Sequence, residues 1–139
     1  MAGDALLEIE DLRVRLTTAH GPVDAVRGIS FTLQAGETAG LVGESGCGKS
    51  LTAMSLMGLG PEHARIRGTV RFLGTEMTAL TERQWCAIRG KKIGMIFQEP
   101  MSALNPVHTV GHQIAEPLRL HMGLDRHAAR KRAIELLDR

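Results

Sequence analysis

The chain has 139 residues and a formal net charge of +2, which comes from 17 Lys and Arg against 15 Asp and Glu. Hydrophobic residues make up 43% and charged residues 23%, a balance typical of a folded globular domain and not of a disordered chain. The absence of any run of about 18 apolar residues excludes a transmembrane helix. The small net charge and the lack of Tyr exclude a general duplex binder and an aromatic platform for single strands, so we expect no nucleic-acid partner.

Alternating apolar and polar residues open the chain and predict three antiparallel strands. The alternation slips by one residue between Ile9 and Leu12, which predicts a β-bulge. Residues 17–22 contain a Gly-Pro pair and predict a turn. The third alternating segment, residues 29–33, is followed by a second break at Gly36. We expect one face of each strand to be buried.

A different pattern begins at residues 38–43, which form an apolar run without alternation. Such a run predicts a strand that is covered on both faces in a parallel sheet. Apolar residues then recur at helical spacing from Leu51, and Gly58 and Pro61 predict the end of that helix. The predicted order is therefore a buried strand, a Gly-rich loop and a helix.

Further elements follow this unit. Residues 67–74 and 92–97 predict two more strands, of which the second is short and buried. Between them, Thr81 and Gln84 have the spacing of a capping box and predict a helix that ends near Gly90.

The last part of the chain is predicted to be mostly helical. Residues 98–109 hold two prolines and are predicted to be loop. A helix is expected to start at Thr109 and to be disturbed at Pro117, which lacks a backbone donor. A final helix is predicted after Asp125 as its N-cap. Its apolar stripe is predicted to consist of Ala129, Ala133, Leu136 and Leu137.

The Gly-rich loop matches the phosphate-binding P-loop pattern in full. Its residues are Gly43, Glu44, Ser45, Gly46, Cys47, Gly48, Lys49 and Ser50. Glycines let the backbone turn tightly and direct its N–H groups inward, and the following helix adds its positive N-terminus. Lys49 is placed to neutralise the β- and γ-phosphates, and the Ser50 hydroxyl suits Mg²⁺. The alternative, a Gly-rich turn that matches by chance, is disfavoured by the strand and helix predicted on either side.

Two motifs resemble the nucleotide-binding domains of ATP-binding-cassette (ABC) transporters. Residues 42–52 are similar to the Walker A region of that family, and residues 96–106 are similar to its Q-loop. The Leu-Asn-Pro that closes the second motif is similar to the version in peptide and nickel importers. Residues 25–31 and 36–38 resemble the same subfamily. The resemblance runs in collinear order from about Leu7 to the last residue.

The resemblance implies an α/β fold of the P-loop NTPase class, with residues 1–139 as the N-terminal portion of an ABC nucleotide-binding domain. That portion is expected to hold the antiparallel β part, the start of the parallel-sheet core and part of the helical region. By resemblance, the P-loop holds ATP and Mg²⁺, and Gln98 reaches the Mg²⁺ and the attacking water. The adenine-stacking aromatic of the family falls near His20, and Leu16 offers an apolar alternative.

The resemblance also implies partners and a location. The partners are transmembrane permease subunits, contacted through the loop around Gln98, and a second ATP-binding subunit in a homo- or heterodimer. The implied location is peripheral, on the cytoplasmic side of the cell membrane. Cys47 and Cys86 form neither a metal-ligand spacing nor a disulfide framework, which agrees with a reducing compartment.

The motifs that complete this family's catalytic half do not occur in the sequence. They are an LSGGQ-type segment, a Walker B strand that ends in Asp, a catalytic Glu and a switch His. Residues 134–138 end in Asp138, but Glu135 and the helical spacing predict an amphipathic helix there. Because phosphoryl transfer depends on positioned charges, we expect the chain as given to bind ATP far better than it hydrolyses it.

The favoured hypothesis is therefore the ATP-binding subunit of an importer that energises uptake of peptides or nickel. The second hypothesis is a non-hydrolysing ATP-binding or permease-docking fragment. A P-loop small-molecule kinase is less favoured, because the Gln-Glu-Pro at residues 98–100 has no role in such enzymes. His108 and His112 have a metal-compatible helical spacing but no third ligand nearby, so we interpret them as surface residues.

Overall fold

The computed structural model describes residues 5–99 and 103–138. The chain divides into two compact units between Trp85 and Cys86. Among the described residues, none of the helices has the length and apolar character that a bilayer crossing requires.

The first unit is built on an antiparallel sheet of four strands in the order β2-β1-β3-β4. Its strands are β1 (Leu7–Thr18), β2 (Gly21–Leu33), β3 (Arg65–Phe72) and β4 (Thr75–Glu76). A two-residue turn joins β1 to β2, and Thr18 pairs with Gly21 across it. The prediction of antiparallel strands from alternating residues is confirmed, but the three predicted strands are two. The first two alternating segments both lie in β1, and the third, residues 29–33, is the end of β2. The turn is tighter than the predicted residues 17–22.

The predicted β-bulge is confirmed in β1. The register with β2 shifts between Ile9 and Leu12, and the register with β3 shifts between Glu10 and Arg13. Asp11, which lies within both shifts, has a φ of 47°. Gly68 of β3 lies opposite with a φ of 97°, and a side chain there would overlap the carbonyl oxygens of the bulge. The slip keeps Ile9 and Leu12 on the same buried face, although residues three positions apart would lie on opposite faces of a regular strand.

The core of the first unit lies between one face of the sheet, α1 (Lys49–Leu56) and the part of α2 (Glu82–Ile88) up to Trp85, where this unit ends. Ser55 of α1 and Val70 of β3 line the same small cavity, so α1 covers this face. Half of the expected capping box at the start of α2 is present, because the Thr81 backbone N–H donates to the Gln84 side-chain oxygen at 2.8 Å. The Thr81 hydroxyl donates to the same oxygen at 2.8 Å instead of accepting from the Gln84 backbone N–H. The buried apolar residues of this unit are Ile9, Leu12, Val14, Val26, Met57, Val70, Met77 and Trp85.

Two predicted strands do not form. Residues 38–43, before the P-loop, have no strand structure, and residues 92–97 make only a single bridge, from Ile93 to Arg89. A parallel strand needs hydrogen bonds from neighbouring strands, and these segments pair with no strand among the described residues. Several of their apolar side chains are consequently exposed, with Val42 at 93% and Ile96 at 98%, whereas Ile93 and Met95 are half-buried.

The second unit contains α3 (Val110–Met122) and α4 (Arg126–Leu137), which pack against each other. The predicted N-cap Asp125 is confirmed, since its carboxylate accepts from the Ala128 N–H at 2.9 Å. The predicted helix start at Thr109 is also confirmed, and its hydroxyl caps α3 by accepting from the His112 N–H at 3.2 Å. Pro117 lies inside α3, and the helix continues beyond it, so the expected disturbance does not end the helix.

The predicted apolar stripe of α4 is only half right. Ala129 and Ala133 are fully buried, at 0% and 1% exposure, whereas Leu136 and Leu137 are exposed at 39% and 58%. The two alanines allow close approach of α3, and the packed surface does not extend to the last turn of α4. The prediction that all four residues face a core is therefore wrong at Leu136 and Leu137.

Candidate functional site

The P-loop connects the sheet of the first unit to α1. Gly46 and Gly48 have φ values of 81° and 93°, in the left-handed region that glycine adopts without strain. Gly48 is the N-cap of α1, no side chain caps this helix, and the Gly48 carbonyl accepts from the Thr52 N–H at 2.8 Å. The first-turn N–H groups of α1 are therefore at the loop without a side-chain acceptor, the arrangement that binds anions at helix N-termini.

Lys49 extends back into the loop that precedes it. Its Nζ donates to the carbonyl oxygens of Gly43 at 2.8 Å and Glu44 at 2.6 Å, and lies 3.5 Å from the Sγ of Cys47. These contacts place the ammonium charge inside the curve of the P-loop. A phosphate in the loop would therefore meet a positive charge together with backbone N–H groups.

The loop has little space for larger residues at two of its glycines. A Cβ at Gly43 would lie 2.5 Å from the Cys47 Sγ, and a Cβ at Gly48 would lie 2.7 Å from the Ala25 carbonyl oxygen of β2. Gly48 thus rests directly on the sheet, which positions the start of α1. The absence of side chains at these two positions fits a backbone cradle for phosphate.

The loop is accessible to ligands from solvent. Residues 43–47 and Ser50 are exposed, whereas Gly48 and Lys49 are half-buried. Among the residues that the structure describes, His, Cys, Asp and Glu form no cluster of three or more that would hold a metal. The Ser50 hydroxyl can supply one ligand to Mg²⁺, an ion that usually keeps several waters and takes further oxygens from phosphates. The loop therefore fits ATP phosphates, and Ser50 offers one of the ligands that Mg²⁺ would need.

The remaining predicted site residues lie outside the loop. His20 is exposed in the β1–β2 turn, where its backbone N–H donates to the Thr18 hydroxyl at 3.2 Å. Gln98 is exposed and belongs to the second unit, after the segment that forms no strand. The three Q-loop residues 100–102 lie outside the described residues. The structure thus groups the eight P-loop residues in one place, and the roles of Gln98 and His20 stay predictions.

The two histidines considered as a metal pair lie close together in the second unit. The ring centroids of His108 and His112 are 5.0 Å apart with a tilt of 38°. The two imidazole rings therefore contact each other.

Sequence reasoning missed a cluster of arginines on the sheet. Five of them line one cavity in the first unit: Arg13, Arg15, Arg27, Arg65 and Arg67. The sequence could have indicated this cluster, because arginine occurs at every second position in β1 (Arg13 and Arg15) and in β3 (Arg65 and Arg67). Residues two apart in a strand share one face of the sheet. Hydrogen bonds from Arg15 lower the pKa of the Asp24 carboxyl, and those from Arg13 lower the pKa of Asp11.

Comparison with known proteins decides the family. The sequence profile described as ABC transporter matches residues 26–139, which is most of the chain. The chain belongs to the ABC transporter family. The resemblance inferred from the Walker A and Q-loop motifs is confirmed.

Curated relatives of this ABC transporter chain are oligopeptide transport ATP-binding proteins named OppD. The chain is 53% identical over 134 residues to that of Mycobacterium tuberculosis, covering 96% of this chain and 22% of the relative. It is 48% identical over 135 residues to that of Salmonella typhimurium, covering 97% of this chain and 40% of the relative. The chain therefore spans less than half the length of these relatives.

Solved structures share the fold of this ABC transporter chain. The ATP-binding cassette MJ0796, in a dimeric post-hydrolysis state bound to ADP and Pi, aligns with a TM-score of 0.78 and 24% sequence identity. The alignment covers 95% of this chain and 56% of the other. A second dimeric structure of the same cassette gives a TM-score of 0.78 at 23% identity. The predicted fold class is confirmed as part of an ABC-type P-loop NTPase domain.

Proposed function

We propose that this chain is the ATP-holding part of the ATP-binding subunit of a peptide importer. The observation that carries the proposal is the P-loop, where Lys49 and the uncapped N-terminus of α1 place positive charge around a cradle of backbone N–H groups. The names of the OppD relatives support peptides as the transported solutes. Nickel, the other solute of the resembling subfamily, appears in none of these names.

In this proposal each part of the loop has one role. Backbone N–H groups of residues 43–50 bind the phosphate oxygens of ATP. Lys49 leaves the carbonyl oxygens of Gly43 and Glu44 and donates to the β- and γ-phosphates instead. Ser50 supplies a hydroxyl ligand to Mg²⁺, which when bound neutralises charge that develops on the phosphates. Gln98 orients water near the γ-phosphate, and His20 contacts adenine.

Uptake requires partners that this chain does not contain. We propose that it docks to transmembrane permease subunits through the loop around Gln98, on the cytoplasmic side of the membrane. A second ATP-binding subunit completes each site, which is supported by the dimeric state of the MJ0796 cassette. Hydrolysis then depends on motifs absent from these 139 residues, so the chain alone binds ATP without appreciable turnover.

Isothermal titration calorimetry with ATP and Mg²⁺ tests the proposal. We expect Lys49→Ala to weaken binding at least tenfold, because the ammonium charge in the loop is lost. Lys131→Ala is the matched control, since it removes the same side chain from an exposed position on α4. Asp138→Ala, at the C-cap of α4, is also expected to bind ATP normally.

Three results would contradict the proposal. Equal ATP affinity in the wild type and in Lys49→Ala would show that the loop does not hold the nucleotide. An equally large loss in Asp138→Ala would reinstate that residue as a Walker B acid. Steady-state ATP turnover by the chain that Lys49→Ala abolishes would refute the claim that these residues do not suffice for hydrolysis.

A further inference from the structure

An arginine-lined cavity occupies the outer face of the sheet in the first unit. Its volume is about 370 Å³, and five arginines, Asp24 and Val26 line it. We call this cavity the arginine pocket. Ligand pockets in proteins begin at about 300 Å³, so it has room for a small molecule.

Strand register explains why the arginines meet. Arg13 of β1 pairs with Arg27 of β2 on one side and with Arg67 of β3 on the other. The next row of the same face places Arg15 between Asp24 and Arg65. Side chains directly opposite each other on neighbouring strands lie close enough to interact, and like charges in that position destabilise a sheet.

The arginine pocket opens away from the P-loop side of the sheet. Val14 lies between Arg13 and Arg15 in β1, is fully buried, and pairs with Ile66 of β3. Ile66 and Ser55 of α1 line a common cavity, so α1 covers the face to which Val14 belongs. Because successive side chains of a strand point to opposite faces, the arginines lie on the other side of the sheet.

Only part of the positive charge is neutralised within the chain. Arg13 forms an ion pair with Asp11 at 2.8 Å, and Arg15 forms one with Asp24 at 2.5 Å. Arg27 acts on Asp24 through space, where its charge helps to lower the pKa of that carboxyl.

Three guanidinium groups remain without an ion pair among the described residues, namely those of Arg27, Arg65 and Arg67. Grouping them has a repulsive cost that an anion between them would remove. A guanidinium offers a planar pair of N–H donors that matches phosphate oxygens, so phosphate is the anion that this geometry favours.

The positive charge is confined to one end of the sheet. Farther along the same strands, Arg71 lies between Glu8 at 3.8 Å and Glu76 at 4.0 Å, so charge is balanced there. A nucleic-acid duplex or a bilayer surface would require positive charge over a wider area. The confined, concave patch instead fits a small anion with three or more negative charges.

We propose that the arginine pocket binds a small polyphosphate-bearing anion on the face of the sheet opposite the P-loop. Arg27, Arg65 and Arg67 bind the phosphate oxygens, and the Asp11 and Asp24 ion pairs hold Arg13 and Arg15 in place beside them.

Calorimetry with inorganic tripolyphosphate tests this site. The P-loop is also expected to bind the probe, so the measurement is made on the chain carrying Lys49→Ala as well as on the wild type. Lys49→Ala should retain one binding site. Adding Arg27→Gln and Arg67→Gln to it should weaken that binding at least tenfold. Loss of all binding in Lys49→Ala alone would overturn the proposal and leave the P-loop as the only site.

A matched control separates a built site from general attraction. Arg126→Gln with Arg130→Gln removes the same charge from exposed positions on α4 and should leave tripolyphosphate binding within twofold. An equal loss in this control would overturn the proposal, because it would show attraction to net charge. Thermal unfolding should show that Arg27→Gln with Arg67→Gln is at least as stable as the wild type, since like charges are removed. A lower unfolding midpoint would contradict the repulsion on which the proposal rests.

The phosphate group has two sources that the experiment distinguishes. Vesicles of phosphatidylcholine with and without phosphatidate present the same group at a membrane surface. We expect tripolyphosphate to bind and phosphatidate vesicles not to do so, because the pocket is recessed and small. Binding to phosphatidate vesicles without binding to tripolyphosphate would overturn the assignment to a soluble anion.

Discussion

The sheet of the first unit and the segment that leads into the P-loop, residues 38–43, both carry aliphatic side chains, but these side chains differ in burial. In the sheet, Ile9 and Val14 are buried at 2% and 0% exposure, because β2 and β3 flank β1 and α1 covers this face. In residues 38–43, Val42 is 93% exposed and no strand pairs with it among the described residues. The difference is the availability of partners: an antiparallel strand obtains them from a nearby hairpin, whereas a parallel strand needs a distant crossover.

The same contrast recurs in the second unit. Helices α3 and α4 form from local signals, with caps at Thr109 and Asp125 and a left-handed Gly123 between them. Ile96, in a segment predicted to be a buried strand, is 98% exposed. Elements with local determinants therefore form within this chain, and those that depend on a parallel sheet do not.

The largest expected effect on the free energy of unfolding comes from replacing a glycine of the first unit by alanine, and two glycines are compared. Gly68 has a φ of 97° and a side chain there would overlap backbone atoms of the bulge, whereas Gly36 has a φ of 80° and open space around it. We expect Gly68→Ala to lower the free energy of unfolding by about 3 kcal/mol, from a left-handed backbone plus overpacking. Gly36→Ala should cost about 1 kcal/mol, from the backbone alone.

Urea unfolding monitored by the fluorescence of Trp85 measures both changes. Trp85 is the single Trp of the chain and is buried at 7% exposure in the same unit as both glycines. Equal losses for the two variants would show that the bulge is not packed as described.

The next largest effect on the free energy of unfolding is expected from truncating one valine in each region. Val14→Ala should lower the free energy of unfolding by about 2 kcal/mol, because two buried methyl groups are lost and a cavity remains. Val42→Ala should change it by less than about 0.5 kcal/mol, because the side chain already contacts water. The Trp85 fluorescence transition in urea reports both. A comparable loss at Val42 would show that residues 38–43 are buried in solution, which contradicts the contrast.

The smallest expected effect is that of the Asp125 N-cap on the stability of α4 in the second unit. A hydrogen bond from the Ala128 N–H, then one from His127, lowers the pKa of Asp125. Because the folded-state pKa lies below the unfolded value of 3.8, the stabilisation is fully present above that pH. It is lost as the pH falls through the folded-state pKa.

Helix content at 222 nm, followed in urea at several acidic pH values, checks this dependence. The advantage of wild type over Asp125→Ala should shrink toward acid. Thr109→Ala is the control, since the hydroxyl cap of α3 does not titrate and its loss should have the same effect at every pH. A constant difference for Asp125→Ala would mean that its carboxylate does not cap α4.

Much of the fold could be predicted from sequence because its signals are short-range. Alternation predicted the hairpin, the slip after Ile9 predicted the bulge, and Thr81 and Asp125 predicted helix starts. The strands at residues 38–43 and 92–97 were predicted wrongly, because hydrophobicity alone does not provide a pairing partner. Helical spacing indicates which residues share one face of a helix, but not how far along the helix that face is packed. It could therefore not predict that Leu136 is exposed.

The candidate site divides in the same way. The P-loop was predictable because its chemistry requires fixed residues at fixed spacing, and Lys49 lies within the loop. The arginine pocket was not predicted, because it forms only when Arg13, Arg27 and Arg67 align across three strands. Register between strands distant in sequence is set by hydrogen bonding and bulges, which a single sequence does not specify.

The contact between Gly43 and Cys47 has a consequence for how this loop tolerates change over evolution. Gly43 has no positive φ, so its backbone conformation would accept other residues, and the obstacle is the Cys47 sulfur 2.5 Å from any added Cβ. A smaller residue at position 47 would remove that obstacle. The two positions therefore constrain each other, and Cys47→Gly would make room for a side chain at position 43.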